Sequence, residues 1–273
     1  MHPVTTDYFM KQDMAVTHPD FWAPFEHCHL GGQKIVTASR TELAQAMVDD
    51  CLAAREIKTK PRLVFDLNGH GLSLYASDEN YQTAMDMADI IHADGGFLVS
   101  LSRILTQTPI AERSATTDMF HDCAKAAAKN SLSFYILGGT ETVNAECARR
   151  LKVLYPDMNI IGRRNGFFSI DEEANVIEEI NTLKPDVLWV GLGKPKEQVF
   201  SVQWRDHLTC GWLVTCGGCY NYVTGDYPRA PLWMQRANIE WLYRMATNRK
   251  LVRRYLTTNL HALWLVLRRG DKA

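Results

Sequence analysis

Residues 186–200 read DVLWVGLGKPKEQVF: an uninterrupted apolar run, a glycine-flanked turn, then a polar stretch with helical spacing. A run this short, rich in Val, Leu and Trp and polar only at its edges, is the pattern of a strand buried on both faces. The same unit recurs on either side. RLVFDLN (62–68), DIIHA (89–93), SFYILGG (133–139), MNIIG (158–162) and GWLVTCGG (211–218) are further apolar runs, and helical patterns lie between them at 117–130, 141–155, 172–183 and 196–207. This alternation predicts an α/β fold, a Rossmann-like, doubly wound parallel sheet with helices on both faces. In such sheets ligands bind beyond the C-terminal strand ends. Asp66 and Asn68, Asp94 and Gly95, Gly138 and Gly139, Gly191 and Gly193, and Gly217 and Gly218 stand at those ends. Upstream, Ser39 and Glu42 have the spacing of a capping box before Leu43, Met47 and Cys51, which predicts a helix over about 40–55.

The chain has 273 residues, 46% hydrophobic and 22% charged, a globular composition that excludes a disordered or collagen-like chain. A net charge of -1 is too balanced for whole-protein attraction to nucleic acid. The charge is polarised, however. Residues 228–273 carry ten Lys or Arg against two acids, a net +8, leaving -9 on residues 1–227. No basic leader precedes an apolar run at the N-terminus, and no run of about 18 apolar residues occurs anywhere, so the expectation is a cytoplasmic chain that does not cross a membrane. Seven scattered cysteines, an odd number, point to reduced thiols. The expected organisation is a variable arm over 1–26, an α/β domain over 27–246 and a basic amphipathic appendage over 247–273.

Several motifs admit more than one reading. Glycine pairs at strand ends can bring backbone N–H groups to a phosphate or simply turn the chain. GLGKPKE lacks the third glycine of the dinucleotide fingerprint, and no GxxxxGK[ST] is present. CGGC at 216–219 has redox or zinc spacing but no second pair of ligands, and His27-Cys28-His29 is a lone cluster. Asp94 can cap a helix or project a carboxylate into the crevice. From Trp241 to Leu267, Val252, Leu256, Leu260, Leu263 and Leu267 recur at helical steps beside Trp264, with Arg249, Lys250, Arg253, Arg254, Arg268 and Arg269 among or after them. That predicts one basic amphipathic helix, packed on the core or a second copy, adhering to an anionic membrane, or neutralising a bound diphosphate.

In chain order, FDLNGHGL, HADGG, Arg103, Arg113, Thr117-Asp118, FYILGGTETV, LYPDMNIIGRRNGFF, PDVLWVGLGKPKEQVF, CGGCYNYVTGDYPRAP, IEWLYRM and RKLVRRYL together resemble the bacterial WecG/TagA/CpsF glycosyltransferases, glycosyltransferase family 26. The resemblance implies an inverting transfer from a UDP-sugar donor to a polyprenyl-diphosphate-linked sugar acceptor, in surface or exported polysaccharide synthesis. It implies Asp94 as the base that takes the acceptor's proton. With no D-x-D pair in the chain, neither metal nor cofactor is expected, and the charge of departing UDP falls to the glycine turns with Arg229, Arg253 and Arg254. The substrate-binding set it implies also includes Asp66, Asn68, Gly95, Arg103, Gly138, Gly139, Lys196, Glu197, Gln198, Gly217, Gly218 and Asn221. Expected partners are the donor, the lipid-linked acceptor and the cytoplasmic membrane surface, where the enzyme would sit as a peripheral protein, with no nucleic acid; a homo-oligomer is left open. Four features depart from the family pattern: Asp66 in place of a small residue, the Glu197-Gln198 order, Asn221 in place of Asp, and no Pro before the basic tail. They motivate an alternative, a non-catalytic UDP-sugar-binding subunit of a polysaccharide assembly complex.

Overall fold

The computed structural model describes residue 22, residues 24–57 and residues 59–269. Most of the expected arm over 1–26, the side chains of Arg249 and Lys250, and residues 270–273 lie outside the described residues. A hairpin of β1 (His27–Leu30) and β2 (Gln33–Val36) precedes α1 (Arg40–Glu56), β3 (Arg62–Leu67), α2 (Gly69–Tyr75), α3 (Glu79–Asp86), β4 (Ile90–Ala93), α4 (Gly96–Leu105) and α5 (Thr116–Lys129). There follow β5 (Ser133–Gly138), α6 (Glu141–Leu154), β6 (Asn159–Arg164), α7 (Glu173–Leu183), β7 (Val187–Gly191), α8 (Lys196–Trp204) and β8 (Trp212–Thr215). Four helices close the described chain: α9 (Cys219–Thr224), α10 (Leu232–Arg236), α11 (Glu240–Thr247) and α12 (Arg249–Arg269).

Each of the six apolar runs forms a strand, and the six make one parallel sheet in the order β4-β3-β8-β7-β5-β6. Successive strand residues face opposite sides, and the core divides accordingly. Leu63, Phe65 and Leu67, Tyr135 and Leu137, Leu188 and Val190, and Leu213 pack on one face beneath α2, α3, α4, α7, α8 and α12. Val64, Phe134 and Ile136, Val187 and Trp189, and Trp212 and Val214 pack on the other against α1, α5, α6 and α9. The chain runs from β3 out to β4 and then crosses to β5, so the strand order reverses near β3 and β8, where a doubly wound sheet opens its ligand crevice.

Local chemistry sets the boundaries. Ser39 and Glu42 form the expected capping box, with Ser39 Oγ accepting from the Glu42 N–H at 3.2 Å and Glu42 Oε2 from the Ser39 N–H at 2.8 Å. Gly138 is a glycine for packing reasons. At φ +127° a Cβ there would stand 2.2 Å from the Gly191 carbonyl oxygen, so only hydrogen lets β5 and β7 come this close. In β1, alternation sends Cys28 into the core and leaves His27 and His29 on the opposite side, which breaks up the His-Cys-His cluster.

The tail departs from the single helix expected over 241–267. Asn248 is extended (φ -137°, ψ 98°) and separates α11 from α12. Thr and Asn at 247 and 248 are poor helix formers, and the break lets two helix axes wall the crevice from different sides. Ala262, Leu265 and Val266 of α12 are buried in the same core cluster as Leu72 of α2. His261 Nδ1 lies 2.9 Å from Ser73 Oγ, and Arg269 Nη1 donates to the Gly31 carbonyl at 3.1 Å. Gly69 of α2 faces α12, where a Cβ would fall 2.2 Å from Asn259 Oδ1.

Candidate active site

A cavity of about 620 Å³ opens above the C-terminal ends of β3, β4, β7 and β8 and is roofed by α11 and the first turns of α12. Its size lies in the range of small-molecule sites. Of the five strand ends singled out in the sequence, four reach it. Gly138 and Gly139, after β5, do not line it.

Asp94 follows β4 directly and lines the cavity. Gly95, not Asp94, is the N-cap of α4. The carboxylate instead accepts from the Thr116 N–H at the start of α5 (Oδ1, 3.0 Å) and from Asn68 Nδ2 (Oδ2, 3.0 Å), while Arg113 Nε donates to the Asp94 carbonyl at 2.9 Å. Asn68 is itself fixed, because its Oδ1 caps α2 by accepting from the Gly71 N–H at 3.1 Å. Burial alone would raise the proton affinity of Asp94. The charges of Arg113 and Arg244, with the Asn68 and Thr116 hydrogen bonds, outweigh it and hold the carboxyl well below its usual range.

Asp66, on β3, is buried and paired with Lys194 Nζ from the β7–α8 loop. Burial would discharge Lys194, but Asp66 and Glu197 keep its ammonium above the ordinary lysine range. Glu197, fully buried in the first turn of α8, joins two loops, since its Oε2 accepts from the Gly193 N–H at 2.9 Å and the Gly217 N–H at 3.0 Å. Burial pushes its carboxyl up to about 7, against the pull of Lys194. The backbone N–H of Gly95 donates to Leu67 and that of Gly139 to Gly191. The N–H groups of Gly95, Gly139, Gly193 and Gly217 thus hold the loops together, and the cationic groups at the cavity are side chains.

Two of those cations, Arg113 and Arg244, stand outside the binding set expected from the sequence. Arg113 and Arg244 line the cavity, and both donate to Glu240, at 2.9 Å and 3.0 Å. Arg244 also lies over the Tyr222 ring, 4.8 Å from its centroid. Arg254 stands at the exposed mouth. His70 lines the wall as a neutral imidazole, lowered to about 4 by burial and by Arg254 and Lys194. The structure therefore brings together Asp66, Asn68, Asp94, Gly95, Glu197, Gly217, Gly218 and Arg254.

Arg103, Lys196, Gln198, Asn221, Arg229 and Arg253 do not line the cavity. Arg103 and Arg253 are exposed on α4 and α12. Lys196 turns outward, 4.8 Å from the Phe168 ring centroid. Gln198 is buried behind Glu197, its Nε2 3.3 Å from Thr215 Oγ1. The carbonyl of Asn221 accepts from the Tyr227 N–H within the loop. Arg229 is bound to Asp118 at 2.8 Å and 3.2 Å. In GLGKPKE the lysine that faces inward is Lys194, and nothing in the spacing distinguishes it from Lys196. The Glu240–Arg244 pair did carry a signal, the i, i+4 spacing of opposite charges in EWLYR.

Cys216 reaches the cavity wall, but burial raises the thiols of Cys216 and Cys219 well above their usual range, which disfavours the thiolate that redox chemistry needs. All seven cysteines are buried. Among the described residues, no group of three or more His, Cys, Asp or Glu could hold a metal ion, and no helix is long and apolar enough to cross a membrane.

The chain is similar to several bacterial glycosyltransferases. N-acetylglucosaminyldiphosphoundecaprenol N-acetyl-beta-D-mannosaminyltransferase of Bacillus subtilis (strain 168) is 27% identical over 195 residues, 71% of this chain and 75% of that relative. Proteins of the same name from Bacillus spizizenii and Staphylococcus aureus (strain MRSA252) are 29% identical over 177 and 174 residues, which span 65% and 64% of this chain and 68% and 67% of theirs. The profile of the WecG/TagA/CpsF glycosyl transferases matches residues 29–272, and the chain belongs to that family.

Proposed function

We propose that this protein is an inverting hexosyltransferase that moves a sugar from a UDP-activated donor to a sugar on a polyprenyl diphosphate, at the cytoplasmic face of a membrane. The observation that carries the reading is Asp94, an ionised carboxylate held at the cavity wall beside the guanidiniums of Arg113 and Arg244. Asp66 is already paired with Lys194, and Glu240 with Arg113 and Arg244, whereas the Asp94 carboxylate accepts from the neutral donors Asn68 and Thr116 and is the group we assign as base. The acceptor hydroxyl oxygen attacks the anomeric carbon from the face opposite the nucleotide. The bond from that carbon to the β-phosphate oxygen breaks, UDP leaves with the electron pair, and the hydroxyl proton passes to Asp94. Charge developing on UDP is offset by Arg113, Arg244 and Arg254, the role a divalent ion plays elsewhere. The relatives' names, which specify a diphosphoundecaprenol acceptor and a mannosaminyl group, support this substrate class.

Asp94→Asn keeps the shape of the site and removes the base. It is expected to retain UDP binding in calorimetry while transfer falls by on the order of 10²-fold or more. An unchanged turnover number removes Asp94 from this role. Transfer should survive exhaustive chelation; its loss there, restored by a divalent ion, would end the metal-independent reading.

A further inference from the structure

Glu240 opens α11 and is only 2% exposed, yet it belongs to the cavity wall. Three guanidiniums from separate segments converge on its carboxylate. Arg113, in the loop before α5, donates from Nη1 to Oε2 at 2.9 Å. Arg244, one turn further along α11, donates from Nη2 to Oε1 at 3.0 Å. Arg229, between α9 and α10, brings Nε to 3.6 Å from Oε1, beyond hydrogen-bond reach, and that Nε has no hydrogen-bond partner.

One buried carboxylate is balanced by one cation, and further guanidiniums beside it repel one another unless more negative charge is supplied. Asp118 supplies part of it, to Arg229. Among the described residues, Arg113 and Arg244 share Glu240 as their ion-pair partner within 4.0 Å, with the Asp94 charge felt at longer range. Planar forks arriving from three directions, with more donors than two oxygens accept, match a phosphate or diphosphate better than a single carboxylate.

We propose that Glu240 is a positioning residue that holds the place of the donor's diphosphate. Without ligand it gathers Arg113, Arg229 and Arg244 and stabilises them. An entering diphosphate takes over the donors of Arg113 and Arg244, which line the cavity, and displaces the carboxylate, and Glu240 recovers them as the nucleotide product leaves. The inference rests on the UDP-sugar reading for the identity of the natural ligand, though not for the chemistry of the anion.

The competition is measurable with inorganic pyrophosphate as the probe. Glu240→Gln keeps the side-chain shape and removes the competing charge. It should melt at a lower temperature than the parent in anion-free buffer and regain more of that difference than the parent gains at saturating pyrophosphate. Its pyrophosphate affinity in calorimetry should rise on the order of tenfold. In the transfer assay, KM for the donor and kcat should fall together, since the product is held as well as the substrate; a merely structural role raises KM or leaves it unmoved. Unchanged or weaker pyrophosphate binding without added thermal rescue overturns the proposal. If Glu240→Gln does not fold, Glu240→Asp makes the same comparison, because the shorter carboxylate cannot span the guanidiniums, and a parent-like anion response then overturns it. Pyrophosphate carries no uridine or sugar, so these results stand or fall apart from the donor's identity, which the Asp94→Asn assay addresses.

Discussion

At Asp94 two demands compete. A general base works best when its proton affinity lies near the working pH, whereas Arg113 and Arg244 hold this carboxyl well below the usual range. In the free enzyme Asp94 is therefore ionised throughout the physiological range, and kcat/KM should show no acid limb from it between pH 5 and 8 on the order of the usual carboxylate titration. Donor phosphate would offset the same arginines, so the limb in kcat should sit higher than that in kcat/KM. Rate profiles across this range check both, and a limb near pH 6 in kcat/KM that persists in Glu197→Gln contradicts the assignment.

Glu197 runs the other way, with its carboxyl raised from 4.5 to about 7 in the folded protein. Between those values the native state binds a proton that the unfolded chain has released, so stability falls as pH rises, by on the order of 1 kcal/mol per pH unit. Glu197→Gln retains an oxygen for the Gly193 and Gly217 N–H groups and should flatten that slope in denaturant titrations at several pH values. A slope identical to the parent's assigns the effect to other groups. The buried Asp66–Lys194 pair gives a third outcome. Lys194→Met strands a buried carboxylate and should cost about 3–5 kcal/mol, much of it recovered when Asp66→Asn is added; chemical unfolding of the two single variants and the double variant measures the coupling.

Among the elements, the β5–β7 contact and α12 make the sharpest demands. Gly138→Ala places a methyl group against the Gly191 carbonyl in a strained backbone conformation and should destabilise by more than about 3 kcal/mol. A melting temperature within a degree or two of the parent's would mean that the strands can separate there. Helix α12 has two apolar faces. Ala262, Leu265 and Val266 are buried, while Leu256, Leu260, Leu263, Trp264 and Leu267 are exposed, Leu260 by 64% and Trp264 by 50%, with Arg253 and Arg268 on the same helix. Deleting α12 would uncover core, so truncation confounds folding with membrane contact. Leu260→Glu with Trp264→Glu changes the exposed stripe alone. The pair should leave melting unchanged and reduce sedimentation with anionic liposomes by on the order of tenfold or more; undiminished sedimentation would show that this stripe does not bind the bilayer.

For the molecule as a whole, the doubly wound sheet and the positions of its six strands were legible because buried strands need unbroken apolar runs, and the turns after them need glycine or small polar residues. Asp94, Asp66 and Asn68 could be found the same way, since residues at C-terminal strand ends face the crevice. Position along the chain did not identify their counter-charges. Arg113 and Arg244 come from a loop and a late helix, and charged residues in such segments look alike whether they face solvent or a cavity. Lys194 and Lys196 differ only in which way the loop turns them, Arg229 and Arg254 only in what stands beside them. The break at Asn248, weak as a local signal, decides that α11 and α12 roof the cavity from two directions. Strand and turn patterns are short-range consequences of burial and backbone sterics, so they are written in the residues themselves. The charge state of a carboxylate depends on every cation brought near it through space, and that proximity exists only once the chain has folded.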